Sequence, residues 1–184
     1  MIYQIKVKLR DFRPPIWRRI QVRDNITLHK LHRILQVVMG WDDYHLHEFE
    51  IDGARYGPSQ DALPDPLGFF DKPVNEKKVK LSEVIRAEKA KFLYTYDFGD
   101  DWRHELLVEK ILPADKGKQY PVCVNGKQAC PPEDCGGVWG YYDLLEARNH
   151  PDDPECAELL EWAGEFDPEE FDLDEINSDL RETR

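Results

Sequence analysis

The sequence predicts an α+β fold: a mixed, largely antiparallel sheet with a β-grasp-like ββαββ order, a long hairpin and C-terminal helices. Three observations lead to this prediction. Short alternating segments flank one helical segment near the N-terminus, two longer alternating segments meet at a turn, and further helical patterns follow only after them. Because strands and helices do not strictly alternate, a doubly wound parallel sheet is disfavoured.

The N-terminal part of the chain shows the ββαββ order. Residues 2–9 alternate apolar and polar side chains, which predicts a half-buried strand. Thr27 is a suitable N-cap for a helix whose leucines recur at helical spacing, and Gly40 is a typical C-terminal glycine. The turn sequence Asp52–Gly53 favours a hairpin. The elements predicted in this part are strands at 2–9, 16–22, 45–51 and 54–56 and a helix at 27–39.

The clearest hairpin is predicted in the middle of the chain. Residues 91–98 place four aromatic side chains on one face, and a turn at Gly99 leads into a second long strand at 102–112. The proline-rich segment 57–78 before it predicts a long, poorly ordered surface loop, and 81–87 predicts a short helix.

The pattern changes after Pro113. Cysteine, proline and glycine dominate 120–137, which predicts an irregular but ordered loop, and three helices are predicted to follow it at 139–149, 156–163 and 174–181. We therefore expect a single domain over 1–184. In it, 1–112 form the sheet and its helix, and 113–184 form a Cys-containing loop and a helical acidic tail.

Composition restricts the environment and the partners of this chain. Its 184 residues carry a net charge of -12, and this charge argues against nucleic acid as the main partner because phosphates would be repelled. No apolar run is long enough to span a membrane, and the N-terminus lacks a signal-peptide pattern. We expect a cytoplasmic protein, whose four cysteines are thiols or metal ligands.

Two histidines in the segment 45–49 form the first candidate site. On a strand, His45 and His47 would point to the same face, about 7 Å apart. Two imidazoles on one face can share a metal ion. The alternative is that both are half-exposed histidines beside an apolar face of the sheet.

The second candidate site is the turn of the long hairpin. Asp97, Asp100, Asp101 and His104 meet there with Trp102. Carboxylates in such proximity can bind a divalent cation or divide acid and base roles between them. The alternative is that the aspartates only stabilise a tight turn, which aspartate does without any ligand.

The third candidate site is the cysteine-containing loop. Cys123, Cys130 and Cys135 lie within thirteen residues, but their spacing differs from the Cys-x-x-Cys of common zinc knuckles. A zinc site and a stiff loop with small buried thiols both remain open. Glu133 and Asp134 add two carboxylates to this loop.

Our hypothesis is that these three segments border one cleft that binds a divalent metal. The predicted ligands are His47, Asp97, Asp100 and His104, with Glu133 as a candidate general base. The further residues predicted to line the cleft are His45, Asp101, Trp102, Cys130, Asp134 and Cys135. No P-loop, dinucleotide fingerprint, Gly-x-Ser-x-Gly or His-Glu-x-x-His motif occurs.

Six motifs together resemble the plasmid pRiA4b ORF-3-like family. They are residues 14–19 (Pro-Pro-Ile-Trp-Arg-Arg), Leu31–His32, Gly40–Trp41 with 45–47 (His-Leu-His), 96–104 around Asp-Phe-Gly-Asp, 129–137 (Ala-Cys-Pro-Pro-Glu-Asp-Cys-Gly-Gly) and 166–172. The resemblance runs from Tyr3 to about Leu180. It implies an α+β fold and an intracellular location, with a link to plasmids and transposase-like genes, but no catalytic role for any residue.

Three functions therefore stay open. The first is a non-catalytic binding or adaptor module with a protein partner, because no complete catalytic constellation is present and four tryptophans could form a recognition surface, although each could equally fill the core. These tryptophans are Trp17, Trp41, Trp102 and Trp139. The second is a metal-dependent enzyme, perhaps a hydrolase, that uses the His/Asp cleft. The third is an accessory protein of a mobile genetic element.

Overall fold

A computed structural model describes residues 1–59 and 72–183. Its centre is one sheet of eight strands, in the order β5-β4-β3-β6-β7-β1-β2-β8. The strands are β1 (Ile2–Leu9), β2 (Trp17–Arg23), β3 (His47–Ile51), β4 (Ala54–Gly57), β5 (Val74–Asn75), β6 (Lys91–Tyr96), β7 (Trp102–Leu112) and β8 (Val122–Lys127). The helices are α1 (Leu28–Met39), α2 (Leu81–Val84), α3 (Gly137–Ala147), α4 (Pro154–Ala163) and α5 (Leu173–Glu182), with a 3-10 turn at Glu76–Lys78.

The sheet confirms the predicted α+β fold with mixed, mostly antiparallel strands. All neighbouring strands are antiparallel except β4 and β5, which are parallel. The chain order ββαββ is present, but the β6–β7 hairpin lies between the two predicted strand pairs in the sheet. This insertion places the turn between β6 and β7 near the start of β3 because β3 pairs with β6.

Helix α1 forms as its sequence predicts. The Thr27 hydroxyl accepts a hydrogen bond from the Lys30 N–H, and Gly40 ends the helix at a φ of 75°, which glycine adopts without steric cost. Its apolar face is fully buried in the core. The same face also buries His32 and Gln36, which a purely apolar stripe would not contain.

The long hairpin differs from its prediction at one end. Phe92, Tyr94 and Tyr96 are buried on one face of β6, as the alternation predicts. Phe98 lies beyond the end of the strand and its side chain is 53% exposed. The strand ends early because Asp97 adopts a φ of 53°, which is incompatible with an extended strand.

The cysteine-containing loop also contains regular structure that the sequence analysis missed. Residues 122–127 form β8, which pairs with β2 at the edge of the sheet. The segment after residue 112 therefore adds a strand to the sheet rather than forming only a loop and helices. The alternation over 122–127 is weak, since Asn125 and Gly126 interrupt it, and Gly126 contacts Phe171 so closely that a Cβ atom would lie 2.4 Å from that ring.

The remaining elements need smaller corrections. Helix α2 ends at Val84, earlier than the predicted 87, and 74–78 form a short strand and a 3-10 turn inside the predicted loop. Residues 60–71 of that loop lie outside the described residues. The three C-terminal helices are confirmed within about two residues at each end. No helix among the described residues combines the length and apolar character needed to cross a membrane.

Candidate functional site

The three segments selected from the sequence meet at one point of the surface. His45 precedes β3, Asp97 begins the turn after β6, and Asp134 lies in the loop before α3. The Nε2 atom of His45 lies 3.0 Å from Oδ1 of Asp134 and 3.7 Å from Oδ2 of Asp97. We call these three side chains the His45 cluster.

The imidazole of the His45 cluster has an unmatched nitrogen. Nε2 of His45 is shielded from solvent and makes no hydrogen bond to the described residues. The short distance to Asp134 is therefore a close approach of two polar atoms without the direction of a hydrogen bond. Unpartnered buried polar atoms are rare in folded proteins and need an explanation, such as a bound ion.

The distances in the His45 cluster fit a small divalent cation. One suitable atom from each side chain lies within 4.8 Å of the other two. A tetrahedral ion with ligands at about 2.1 Å separates its ligands by about 3.4 Å. The two distances from His45, 3.0 and 3.7 Å, are close to that value.

Both aspartates of the cluster are held by an unusual backbone. Asp97 has a φ of 53° and Asp134 a φ of 59°, in the left-handed region that non-glycine residues seldom adopt. Oδ1 of Asp97 accepts a hydrogen bond of 2.8 Å from the Gly99 N–H, which leaves Oδ2 directed towards His45. Such backbone strain is often found at functional sites.

Glycine allows the third segment to approach. Gly137 has a φ of 70°, and a Cβ atom on it would lie 2.5 Å from the carbonyl oxygen of Asp100. The Asp100 carboxylate accepts a hydrogen bond of 3.2 Å from the Gly136 N–H. Asp100 therefore joins the hairpin turn to the loop that carries Asp134, and it is not a member of the His45 cluster.

Glu133 connects the same loop to the segment before β3. Its Oε1 accepts a hydrogen bond from the Tyr96 hydroxyl, and its Oε2 accepts one of 3.2 Å from the Asp42 N–H. The Tyr96 oxygen in turn accepts hydrogen bonds from the N–H groups of Tyr44 and His45. Burial, and then the bond to Glu133, raise the pKa of Tyr96. Since both carboxylate oxygens are engaged, Glu133 holds the site together and is not placed as a free general base.

The second group of ionisable residues lies deeper in the molecule. Glu76, which is 1% exposed, accepts hydrogen bonds of 2.8 Å from Nδ1 of His29 and from Nε2 of His47. The ring of His47 stacks on that of His32, with centroids 3.4 Å apart. We call this group the buried histidine network; its members are His29, His32, Gln36, Asp43, His47, Glu76 and Tyr94.

Within this network, four residues close a ring of hydrogen bonds. The Asp43 N–H donates to Oε1 of Gln36, and Nε2 of Gln36 donates to the Tyr94 oxygen. Nε2 of His32 lies 2.8 Å from Asp43, so it must carry the proton, because a carboxylate only accepts. Nδ1 of His32 then accepts from the Tyr94 hydroxyl. Each of the four side chains or its backbone N–H is thus bonded to the next member of the ring.

The network lowers the pKa values of His32 and Glu76. Burial, and then the neighbouring His47, lower the pKa of His32 to about 3, so that His32 is neutral at pH 7. For Glu76, burial raises the pKa, but the hydrogen bonds and charge of His47 and the hydrogen bond of His29 outweigh it and lower the pKa overall. The two imidazoles bonded to Glu76 thus offset the cost of burying its charge.

The predicted ligands are divided among different places in the structure. His45 and His47 do not share a strand face, because β3 begins only at His47, and His47 belongs to the buried network. Of the four predicted ligands, Asp97 alone is in the His45 cluster. Asp101 points away and pairs with Arg103.

His104 lies in the core below the site. It is fully buried, and Nδ1 is 3.3 Å from the Tyr94 carbonyl. Burial lowers the pKa of His104 to about 4, although hydrogen bonds to the backbone partly raise it. Its Nε2 has no partner among the described residues, but its ring faces Trp41 and Tyr94 rather than carboxylates. His104 is therefore placed as a core residue.

The cysteines do not form a metal site in the described part of the chain. No Cys occurs in the groups of metal-ligating atoms that converge there. Cys130 accepts a hydrogen bond of 3.2 Å from Arg18, and Cys135 lies next to the Gly137 carbonyl. Burial raises the pKa of Cys130, and burial and then Asp100 raise the pKa of Cys135 to about 12. Both side chains are thus protonated thiols at neutral pH.

The four tryptophans considered for a recognition surface differ in their burial. Trp41 and Trp102 are buried, and Trp17 is half-buried. Trp41 stacks on Tyr96 and donates a hydrogen bond of 3.0 Å to the Pro131 carbonyl, which supports the floor of the site. Trp139 alone of the four is exposed.

Six residues of the buried network were missed as site residues: His29, His32, Gln36, Asp43, Glu76 and Tyr94. A signal was present for two of them, because His32 and Gln36 are spaced four residues apart on the core-facing side of α1. Glu76 gave no such signal, since it follows the proline-rich segment and its burial depends on distant residues.

Comparisons with known proteins place this chain in a family. A family model described as plasmid pRiA4b ORF-3-like protein matches residues 1–175. Uncharacterized protein y4hQ from Sinorhizobium fredii (strain NBRC 101917 / NGR234) is 38% identical over 167 residues, which cover 90% of this chain and 82% of that protein. The crystal structure of a protein of unknown function, MM3350 from Methanosarcina mazei Go1, is similar with a TM-score of 0.83 and 44% identity, over 94% of this chain and 96% of that one. The chain therefore belongs to the plasmid pRiA4b ORF-3-like family.

Proposed function

We propose that this protein is a metal-dependent binding module whose cation is held by His45, Asp97 and Asp134. The observation that carries this proposal is the nitrogen of His45, which is shielded from solvent and unpaired while facing two carboxylates. A cation at this point would accept the free nitrogen lone pair and offset the repulsion between the carboxylates.

The donor atoms favour a borderline transition metal. One imidazole and two carboxylates suit Zn²⁺, Mn²⁺ or Fe²⁺, whereas Ca²⁺ and Mg²⁺ prefer oxygen alone. Asp134 is 66% exposed, so solvent reaches one side of the cluster. The three side chains would leave coordination positions for water or for a group of the partner.

Metal analysis tests this proposal directly. Untagged protein, purified without chelator and then titrated with Zn²⁺ and Mg²⁺, should bind one equivalent of Zn²⁺ more tightly than Mg²⁺. His45→Ala and Asp134→Asn should weaken Zn²⁺ binding by more than about 100-fold, since even residues outside the coordination sphere change affinity by about 10–100-fold. Co²⁺ substitution would report the coordination geometry through its visible absorption.

Asp101→Asn is the matched control. It removes the same charge from the same hairpin turn, but Asp101 pairs with Arg103 outside the cluster. Its Zn²⁺ affinity should equal that of the wild type. Absence of Zn²⁺ binding by the wild type, or an equal loss in Asp101→Asn and Asp134→Asn, would contradict the proposal.

A second candidate function is metal-dependent hydrolysis. The exposed side of the cluster favours it, because a catalytic metal site needs an open position for water. Zn²⁺-loaded protein would then hydrolyse p-nitrophenyl acetate or p-nitrophenyl phosphate, and His45→Ala would lose this activity while Asp101→Asn retains it. A Zn²⁺-loaded protein that is inactive on both compounds would favour the binding module over the hydrolase.

A further inference from the structure

Exposed apolar side chains lie close to the His45 cluster along the chain. The described residues contain seven large hydrophobic side chains that are exposed, and four of them are near the cluster in the chain. Tyr44 and Leu46 flank His45, Phe98 follows Asp97, and Trp139 lies in the first turn of α3 after the loop of Asp134. Tyr44 is 76% exposed and Trp139 is 80% exposed.

Hydrogen bonds and close contacts bring the segments that carry these side chains together. The Tyr44 N–H bonds to the hydroxyl of Tyr96, which bonds to Glu133, so the segment of Tyr44 is adjacent to the loop of Asp134. Gly136 and Gly137 contact Asp100, two residues after Phe98. We call Tyr44, Leu46, Phe98 and Trp139 the apolar rim. Exposed aromatic side chains grouped in this way are typical of binding surfaces.

The charges on this face are predominantly negative. Asp42, Asp43, Asp101 and Asp134 are exposed beside the rim, and Glu133 and Asp97 lie within the site. Arg103 is already paired with Asp101. The whole chain has a net charge of -12. A second copy of the chain or a nucleic acid would therefore be repelled from this face.

We propose that the apolar rim is the docking surface for a basic, apolar-containing peptide segment of a partner protein. The aromatic faces of Tyr44, Phe98 and Trp139 would contact its apolar side chains and the cationic groups of arginine or lysine. The aspartates would complement its positive charge. This proposal rests on the proposed binding function, since it names the partner that binds next to the proposed metal site. Binding of the peptide to the rim does not require a bound ion.

Defined peptides test the chemistry of the partner. An array of 15-residue peptides would share the same leucine and phenylalanine positions and carry arginine, glutamine or glutamate at the remaining ones. The wild type should bind the arginine set most tightly and the glutamate set least, as measured by fluorescence anisotropy of selected labelled peptides. Higher salt should weaken binding, because exposed charges are screened. Equal binding to all three sets, or binding to a labelled oligothymidylate instead, would overturn the proposal.

Variants of the rim test its location. Trp139→Ala and Tyr44→Ala should each weaken binding of the arginine peptides by about tenfold or more, as expected for aromatic residues at the centre of an interface. Trp162→Ala is the matched control, because Trp162 is 51% exposed on α4, outside the rim. Equal losses in Trp162→Ala and Trp139→Ala would also contradict the assignment.

The two proposals fail independently. Trp139→Ala should still bind Zn²⁺ as the wild type does, and Asp134→Asn should lose Zn²⁺ while it keeps most of its peptide binding. Zn²⁺ binding without any charge-selective peptide binding would overturn the docking surface alone. Sedimentation of the wild type and of Trp139→Ala tests whether a second copy of the chain occupies the rim instead of a peptide. If the wild type is a dimer that dissociates in the variant, a second copy covers the rim and the peptide proposal is wrong.

Discussion

The His45 cluster and the buried histidine network both gather imidazoles and carboxylates, but they differ in how these groups are paired. In the network, the ring through Asp43, Gln36, Tyr94 and His32 closes on itself, and Glu76 receives two imidazole donors. In the cluster, Nε2 of His45 has no hydrogen-bond partner among the described residues. Closeness of ligating residues alone therefore does not distinguish the two regions, whereas the unpaired nitrogen of His45 does.

The two regions are connected through the chain between α1 and β3. Asp43 belongs to the network, and His45 belongs to the cluster two residues later. A carboxylate as buried as Glu76 is costly unless it is paired, so the network needs all of its bonds to exist. We interpret the network as the rigid support that positions the segment carrying His45.

Loss of the buried carboxylate should have the largest effect on stability. Glu76→Gln keeps the shape of the side chain but leaves two imidazoles without their anionic acceptor. We expect the free energy of unfolding to fall by about 3–5 kcal/mol, the range for breaking a buried charged pair. Denaturant unfolding monitored by circular dichroism measures this change.

Glu146→Gln is the matched control for this variant. Glu146 also accepts from a histidine, His150, but both side chains are mostly exposed. Its loss should change the free energy of unfolding by less than about 0.5 kcal/mol. If Glu76→Gln cost no more than this control, the network would not be the rigid support described above.

Acid should destabilise the metal-free protein through two buried imidazoles. Folding lowers the pKa of His32 from 6.5 to about 3, mainly because the side chain is buried. The charges of His47, His29 and Arg33 lower this pKa further, whereas Glu76 raises it. Folding also lowers the pKa of His104 from 6.5 to about 4, again because of burial. Below pH 6.5 the unfolded chain therefore binds more protons than the folded chain, and stability falls as the pH falls. We expect a loss of roughly 3 kcal/mol between pH 6.5 and pH 5.

Unfolding experiments in chelator over this pH range measure the slope. His104→Leu should reduce the slope by about half, because one of the two imidazoles no longer titrates. Because folding lowers the pKa of Glu76, acid also destabilises the folded protein through this residue, but only when the pH is near or below the ordinary pKa of 4.5. Stability that is constant from pH 6.5 to pH 5 would mean that these imidazoles are accessible to protons in the folded state.

Zinc should stabilise the wild type and leave a cluster variant unaffected. A ligand that binds only the folded state adds about 2.7 kcal/mol at a free concentration 100 times its Kd. Thermal unfolding with and without Zn²⁺ should show this increase for the wild type and for Glu146→Gln, but not for His45→Ala. An equal increase in His45→Ala would place the ion elsewhere, for example at the buried histidine network.

Opening the hydrogen-bonded ring should have the smallest effect. Tyr94→Phe removes the hydroxyl between Gln36 and His32 and leaves both groups buried without this partner. We expect a loss of about 1–3 kcal/mol, the cost of unsatisfied buried polar groups. A weaker Zn²⁺ affinity in the same variant would show that the ring also positions His45, whereas unchanged affinity would separate the two regions.

Much of the fold was predictable because its local patterns are strong. The cap at Thr27, the glycine at position 40 and the alternation in β1 and β7 each specify an element from neighbouring residues alone. β8 was not predictable in this way, since Asn125 and Gly126 break its pattern and pairing with β2 decides its conformation.

The sequence named all three members of the cluster, Asp97 as a ligand and His45 and Asp134 as residues lining the cleft, but did not group them with one another. The sequence analysis selected the three segments that meet, and Asp97 among the ligands. It grouped His45 with His47 because a strand would align them, yet the chain departs from β3 before His45. The position of His45 depends on hydrogen bonds that the N–H groups of Tyr44 and His45 donate to the hydroxyl of Tyr96. Tyr96 lies 51 residues after His45 in the chain.

By itself, the sequence determined the helices, most strands, the acidic charge and the three segments rich in polar residues, because propensity, alternation and composition act over a few neighbouring residues. The tertiary structure decided which polar atoms are satisfied. Whether an imidazole ends in a closed network, as His32 does, or faces two carboxylates without a hydrogen bond, as His45 does, depends on distant residues that only the folded sheet brings within a few ångströms.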